Sequence, residues 1–482
     1  MKKFQCPHSV TRMSIRRICI FLLFVSVWMA AQSADCPLNK NRALVLSGGG
    51  ARGAFEAGAI YHLVVQRHCD FKEISGVSVG ALNGAFLAQA ERSDDPVQSL
   101  RNLAAQTEEL VGVWDSFKGP NDVFRQRHLG MLRFGLFKLE NLNDFTPLHD
   151  LIKKRISATK LLTGRTARIG VVSFWDGRYR EVVASRTSET ENKKFIDFVF
   201  ASSLIPIYGE MPQIQDDPAD TDPALWPQFA DAGLRRVTPV SSYFMGCEEA
   251  TTPFNAETGI SELPKAPCVR RSTRLMPAHD GPINHLVVIM ASPYSRATDE
   301  FPIANGPHCC VAGTHQYTDG HKIMERTVNL AIGLPYRWDL DFAQVDNEFL
   351  RWRLIQNNVL LSVMDSAKVT EYKTKSESLN SDFPMESYNK GNIPGLPSLP
   401  YEINIIVPEK VFVDVYGFDP ANIREQLYCG CIAADRTMSK ENTMTFFSER
   451  CAERFPRLPN AKTGPQVWTN DICSAEPEHK KK

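Results

Sequence analysis

The sequence predicts an α/β protein built on a parallel or mixed sheet covered on both faces. Three observations carry that expectation. Short apolar runs of strand length alternate with helical segments from residue 42 onward. Two of those runs end in glycine-rich turns that open directly into helices. Further apolar runs recur late in the chain, so the sheet gathers strands from distant parts of the sequence.

Residues 42–47 read as a buried strand and 53–67 as a helix with apolar residues at helical spacing. "ISGVSVGALNGAFLAQA" (74–90) reads as a second strand, a sharp turn and a second helix. "LRNLAAQTEELVGVW" (100–114) is an amphipathic helix. In "ARIGVVSFWDGRYREVVAS" (167–185) two apolar runs are joined by Asp176-Gly177, a strong hairpin signal. "DDPADTDPALW" (216–226) is a solvated loop; its acidic spacing misses that of a hand-type calcium site and lacks the central glycine. "HLVVIMAS" (285–292) and "EINIIVP" (402–408) are strands, 374–402 is a loop, and 420–434 is a late helix.

At 482 residues the chain is long enough for one large domain with insertions or for two to three ordinary domains. Its 43% hydrophobic and 23% charged residues mark it as globular. Residues 1–33 carry five basic groups and no acid, leaving 50 basic against 55 acidic residues beyond them. That balance gives no support for nucleic-acid binding. Arg16-Arg17, the run "ICIFLLFVSVWMAA" and the small residues of "AQSAD" have the layout of a secretory leader cleaved near Ser33 or Ala34. The apolar run is short for an uncleaved membrane anchor. Cys36 follows Asp35, where a lipid-attachment signal needs a small residue.

Ten cysteines remain after residue 33, an even count that predicts disulfides in an oxidising compartment. "YCGCI" has C-x-C spacing, and no second C-x-x-C pair completes a zinc site. Cys247 is expected to pair with Cys268, closing an insertion at about 241–284 that leaves the chain soon after Asp231 and is a candidate lid. Cys429, Cys431, Cys451 and Cys473 are expected to pair among themselves or with Cys309 and Cys310, which are too close to bridge each other.

Two glycine motifs carry the chemistry. Gly48 to Gly53 satisfies G-x-G-x-x-G, and Asp70 falls near the offset of a dinucleotide fold's ribose acid. Alone, that match is weak. Gly76-Val77-Ser78-Val79-Gly80 then supplies G-x-S-x-G between a strand and a helix, the setting of a strained nucleophile turn. The two motifs divide the labour of acyl transfer. Ser78 would attack a carbonyl, and backbone N–H groups of Gly48, Gly49 and Gly50 would receive the oxyanion at a helix entry. Serine needs a base. His279, His285, His308, His315 and His321 are available for a triad, but none sits in a recognisable loop after a strand. Asp231, in "QFADAGLRRVTPV", is followed by small Ala232 and Gly233 and can approach another turn closely. Desolvation would raise its proton affinity and make it a better base than in water.

These residues resemble the patatin-like phospholipases, lipid acyl hydrolases with a Ser–Asp dyad. "LVLSGGGARGAFEAG" is similar to that family's oxyanion segment, including Arg52 and Gly53, and "GVSVGALNGA" to its nucleophile elbow, with Gly76, Gly80 and Asn83. "FVFASSLIPIYGEMPQI" (198–214) is similar to the stretch before the acid, and "FADAGLRRVTPV" to its Asp-Gly-Gly/Ala motif, with Gly233 kept. Ala232 replaces a glycine and Arg236 stands where many members have Asn, which bears on how the Asp loop is braced. The likeness spans roughly 42–292 and the helix at 418–434.

The resemblance implies a three-layer sandwich and hydrolysis of lipid acyl esters at a membrane or micelle surface, with no metal and no cofactor. The alternatives are a Ser-His-Asp carboxylesterase or thioesterase, and a degenerate binding module. The expected division is a leader at 1–34, a catalytic core at 35–292, an extension at 293–434 that completes the domain, and a cysteine-bearing tail at 435–482. Protein partners are left open.

Overall fold

Seven strands form the central sheet of the computed structural model. They are β1 (Arg42–Leu46), β2 (Glu73–Val77), β3 (Thr166–Ser173), β4 (Tyr179–Val183), β5 (Phe229–Asp231), β6 (His285–Ile289) and β7 (Glu402–Ile406). The order is β7-β6-β1-β2-β3-β4, with β5 pairing β3 off that path. Strands β7, β6, β1, β2 and β3 are mutually parallel, while β4 and β5 run antiparallel to β3. The structure describes residues 36, 41–127, 142–174, 177, 179–206, 208–215, 221–223, 226–240, 243, 247–249, 254–255, 260–261, 268–270, 283, 285–293, 402–410, 416–439, 444–458 and 470–474.

Every residue of β1, β2 and β6 is buried, as the continuous apolar runs require of strands covered on both faces. Alternation then sorts their side chains. Leu44, Leu46, Val287 and Ile289 join the large cluster under the helices. Ala43, Val45, Leu286 and Val288 face the other way, against Val237, Val240, Tyr243 and Ile283. The helices are α1 (Gly53–Tyr61), α2 (Val79–Ala88), α3 (Pro96–Ser116), α4 (Thr146–Arg155), α5 (Ala158–Thr163), α6 (Glu189–Ser202), α7 (Pro420–Met438) and α8 (Met444–Arg454). Helix starts follow from local chemistry. Asp95 and Asp419 cap α3 and α7, each followed by proline at the first helical position, and Ser188 caps α6.

The late part of the chain completes this core. β7 pairs in parallel with β6, and α7 lies against α1. The α1–α7 contact is backbone-close: a Cβ on Gly58 would collide with the Leu427 carbonyl, and one on Gly430 with the Phe55 carbonyl. The expected single helix at 53–67 ends instead in a π turn over His62–Gln66, where Arg67 N–H bonds the His62 carbonyl at 2.9 Å. Beyond that turn Arg67 reaches His62 Nε2 at 3.1 Å and the buried Asp435 carboxylate of α7 at 2.6 Å.

The β3–β4 hairpin forms, with a wider turn than the two-residue type. Val172 pairs with Tyr179, and the Gly177 N–H closes on the Ser173 carbonyl at 2.9 Å, with Gly177 at φ +67°. In the insertion, Cys247–Glu249 pairs with Cys268–Arg270 and Phe254–Asn255 with Ile260–Ser261, both antiparallel. The side chains of Cys247 and Cys268, and the whole of 374–401, lie outside the described residues. Cys429 is bridged to Cys473 and Cys431 to Cys451. Cys36 is bridged to Cys69.

Candidate active site

Sheet register brings Ser78 and Asp231 together. On one side of β3, β2 pairs as far as Val77 opposite Gly170. The next β3 residue, Val171, pairs with Asp231 of β5. β4 occupies the opposite side of β3 over the same residues, so β5 prolongs the line of β2 from the other direction. Ser78, one residue past β2, therefore abuts Asp231, although 153 positions separate them in sequence.

Ser78 has φ 55° and ψ −126°, a conformation that costs a non-glycine residue roughly 1–3 kcal/mol. The elbow is tight. A Cβ on Gly76 would strike the Gly80 carbonyl, and one on Gly80 would lie 2.6 Å from the carbonyl oxygens of Leu46 and Ser47. Ser202, at the end of α6, holds the elbow: the Ser78 N–H donates to Ser202 Oγ at 2.9 Å, and that hydroxyl donates to the Gly170 carbonyl at 2.7 Å. Nothing in the sequence reading assigned Ser202. Its signal was the pair of small serines in "FASSLIP", which the resemblance covers without giving either a role.

Asp231 is only 3% exposed. Burial raises its pKa from 3.8 to about 6, against hydrogen bonds from the Ser78 hydroxyl and the Gly233 N–H that favour the ion. The Gly233 bond measures 2.7 Å, and the Asp231 N–H itself donates to the Leu204 carbonyl at 2.9 Å. Ala232 is fully buried, so the smallest side chain suffices where a glycine was expected. Arg236 lies over the Tyr179 ring, 4.8 Å from its centre, and its N–H bonds the Ala232 carbonyl at 2.7 Å. The Asp loop is thus braced from β4 by a cation–π contact.

The glycine loop divides. Gly48 N–H is taken by the Val237 carbonyl at 2.9 Å, so its expected role as an oxyanion donor does not stand. A Cβ on Gly48 would lie 3.2 Å from that of Ser78, which makes this residue a spacer beside the elbow. Gly49 and Gly50 lead a short 3-10 turn that runs into α1, and Gly50 has φ 57°. Their N–H groups stand at the positive end of that helical run. Arg52 reaches across to Ser292 Oγ at 2.7 Å, tying the loop to the chain after β6. Gly53 sits against Val79 and Trp114.

Beneath the loop lies a buried polar chain. Trp114 Nε1 donates to Asn83 Oδ1 at 3.0 Å, and Asn83 Nδ2 donates to the Gly53 carbonyl and to Glu56 Oε2, both at 3.0 Å. Burial pushes Glu56 well above the usual carboxylate range, favouring its protonated form. Asn83 thus links the starts of α1 and α2.

Two of the candidate residues are engaged elsewhere. Asp70 pairs with Arg165 at 2.7 Å and is occupied structurally. His285 opens β6, at the far end of the sheet from Ser78, between Arg42 Nε at 3.2 Å and Asn404 Oδ1 at 2.6 Å. His279, His308, His315 and His321 lie outside the described residues.

A strained serine at a strand-to-helix elbow thus stands beside a buried carboxylate and a glycine-rich helix entry on an α/β sheet. Residues 44–243 match the family model described as patatin-like phospholipase. No curated protein matches the chain. Among solved structures, VipD from Legionella pneumophila is 12% identical with a TM-score of 0.25, covering 52% of this chain and 50% of its own. This chain therefore spans half the length of that one. A chain of the heterodimeric ExoU–SpcU complex from the type III secretion system of Pseudomonas aeruginosa is 13% identical with a TM-score of 0.20, covering 87% and 84%. Structural likenesses with TM-scores this low carry no functional weight.

Proposed function

We propose that the chain hydrolyses lipid acyl esters through an acyl-enzyme on Ser78, with Asp231 as its base. One observation carries the reading: sheet register sets a serine in a strained elbow beside a buried carboxylate whose pKa is raised to about 6. The family likeness supports lipid esters as the substrate class.

In the first step Ser78 Oγ bonds to the ester carbonyl carbon while its proton passes to Asp231. The carbonyl electron pair becomes an oxyanion facing the N–H groups of Gly49 and Gly50, where each donor is worth roughly 3–4 kcal/mol in comparable hydrolases. Collapse expels the alcohol, which takes the proton from Asp231. Water then attacks the acyl-enzyme and gives a proton to Asp231; collapse breaks the Ser78 Oγ–acyl bond, Ser78 Oγ takes that proton from Asp231, and the fatty acid leaves. The glycines would serve the transition state more than the bound substrate.

We also propose that the chain is exported, with residues 1–34 as the leader, 35–292 as the catalytic core, 293–434 completing it, and 435–482 as the tail. The leader's composition and the bridges at Cys36–Cys69, Cys429–Cys473 and Cys431–Cys451 support this.

Fluorophosphonate labelling followed by peptide mapping tests the core of the proposal. The label is expected on Ser78, and lipid extracts incubated with wild type should release fatty acid that Ser78→Ala does not. Labelling elsewhere, or equal release by the variant, would overturn it.

A further inference from the structure

Ser202 ends α6 and Ser203 follows it, yet their hydroxyls are used differently. Ser203 Oγ donates back to the Val199 carbonyl of its own helix at 3.0 Å, the ordinary use of a serine in a last helical turn. Ser202, fully buried, bonds off its helix instead. Its Oγ accepts the Ser78 N–H at 2.9 Å and donates to the Gly170 carbonyl at 2.7 Å.

That N–H belongs to neither the ladder nor a helix. β2 pairs with β3 only as far as Val77, opposite Gly170, and α2 begins at Val79. The residue between them is buried and strained, so its N–H needs a partner from another element. The Ser202 hydroxyl is inserted there, as a relay between the end of β2 and the Gly170 carbonyl of β3.

Two residues on, the same turn holds Asp231. The Leu204 carbonyl accepts the Asp231 N–H at 2.9 Å. The turn itself is closed, with Ser203 N–H on the Phe200 carbonyl at 2.9 Å and Leu204 N–H on the Ala201 carbonyl at 3.1 Å. The backbones of Ser78 and Asp231 therefore hang on one short piece of chain. The bond to Gly170 pins that piece to β3, the strand whose register already sets Val77 and Asp231 side by side. A Ser-His-Asp triad has a third side chain to orient its base. Here the end of α6 orients both partners through their main chains.

We propose that Ser202 is a positioning residue for the reaction: its hydroxyl holds the elbow so that Ser78 Oγ stands where its proton can pass to Asp231. This rests on the reading of Ser78 and Asp231 as nucleophile and base. The competing account is that Ser202 only fills space under the elbow, and catalysis separates the two. Reacting groups displaced by about 1 Å lose about a hundredfold in rate. A packing defect changes how much protein is folded and leaves the folded protein's chemistry alone.

The test uses the full chain and a short soluble ester, with Ser202→Ala beside Ser203→Ala. Ser202→Ala should lower kcat about a hundredfold and leave KM within about twofold, because positioning acts on the chemical step. Its kcat/KM should also rise at higher pH than that of wild type. The Ser78 hydroxyl bond holds the Asp231 pKa down against burial, and a displaced Ser78 gives that bond up. Ser203→Ala should match wild type in both respects. If Ser202→Ala does not fold, Ser202→Cys keeps the volume with a weaker donor and acceptor, and should show the same two changes in smaller measure. Hydrogen exchange of the peptide spanning 74–82, read by mass spectrometry, reports on the elbow without any chemistry; it should be about tenfold faster in the Ser202 variant alone. Wild-type kcat and an unmoved pH profile in the folded Ser202 variant would overturn the proposal and leave the hydrolase reading standing. If wild type cleaves no ester, the hydrolase reading fails, and exchange at the elbow then decides by itself whether Ser202 holds Ser78.

Discussion

At the scale of single residues, the proposed mechanism depends on a carboxylate kept out of water. Asp231 has its pKa raised to about 6, so kcat/KM is expected to rise with pH through about 6 and then level off. The same shift affects stability. Between pH about 4 and 6 the folded chain keeps a proton that the unfolded chain has lost, so stability falls as pH rises across that window. A rise from 3.8 to about 6, at about 1.4 kcal/mol per pH unit, is roughly 3 kcal/mol. Asp231→Asn keeps an acceptor for the Gly233 N–H and removes the buried charge. It should therefore lower turnover by about a thousandfold or more while raising stability at pH 7 by about 2–3 kcal/mol. Kinetics and urea unfolding on one preparation check both halves; an inactive but destabilised variant would contradict the account. Glu56 tests the same logic with the opposite outcome. Because burial favours its neutral form, Glu56→Gln should retain activity, whereas Glu56→Ala strands Asn83 Nδ2 and should cost about 1–3 kcal/mol of stability.

At the scale of elements, what was legible in the sequence is what short-range pattern determines. β1, β2 and α2 were read to within a residue or two, because apolar runs and glycine turns mark them locally. The turns that hold Ser78 and Asp231 were legible for the same reason: the small neighbours of each are adjacent in sequence. Gly48 was assigned a free N–H because its acceptor, the Val237 carbonyl, lies 189 positions away and leaves no local mark. Ser202 and the π turn at His62–Gln66 escaped likewise, since their partners are set by tertiary register. The α1–α7 seam is another such feature, and it yields a contrast. Gly58→Val drives a branched side chain into the Leu427 carbonyl and should cost at least about 3 kcal/mol. Gly112, on α3, has nothing within 4 Å of its would-be Cβ, so Gly112→Ala should stabilise by about 0.5–1 kcal/mol. Denaturant midpoints of the two variants, read against wild type, should move in opposite directions.

At the scale of the whole molecule, the C-terminal part is held by the geometry of one helix. Cys429 and Cys431 are two positions apart on α7, hence about 200° apart around its axis, and cannot pair with each other. Gly430 between them faces α1, so the two sulfurs leave the helix on either flank of that seam. One reaches Cys473 in a short turn near the end of the chain, and the other reaches Cys451 on α8. The bridges close separations of 44 and 20 residues, which the chain-entropy model values at roughly 4 and 3 kcal/mol. They differ in what else they touch. Cys431 lies 3.9 Å from both His62 Nδ1 and Gln66 Oε1, inside the buried group that includes Arg67 and Asp435. Replacing the Cys431–Cys451 pair by serines puts two hydroxyls into that group, so the loss should exceed the entropic figure. Replacing Cys429–Cys473 should cost no more than it. The measurement is denaturant unfolding of the two double variants under oxidising conditions, with soluble-ester turnover recorded below each transition. The shorter bridge is expected to be the more costly one to remove, reversing the order that loop length alone dictates. If the order follows loop length, the buried group around His62 contributes nothing to holding α8, and α7 is anchored by chain entropy and the glycine seam alone.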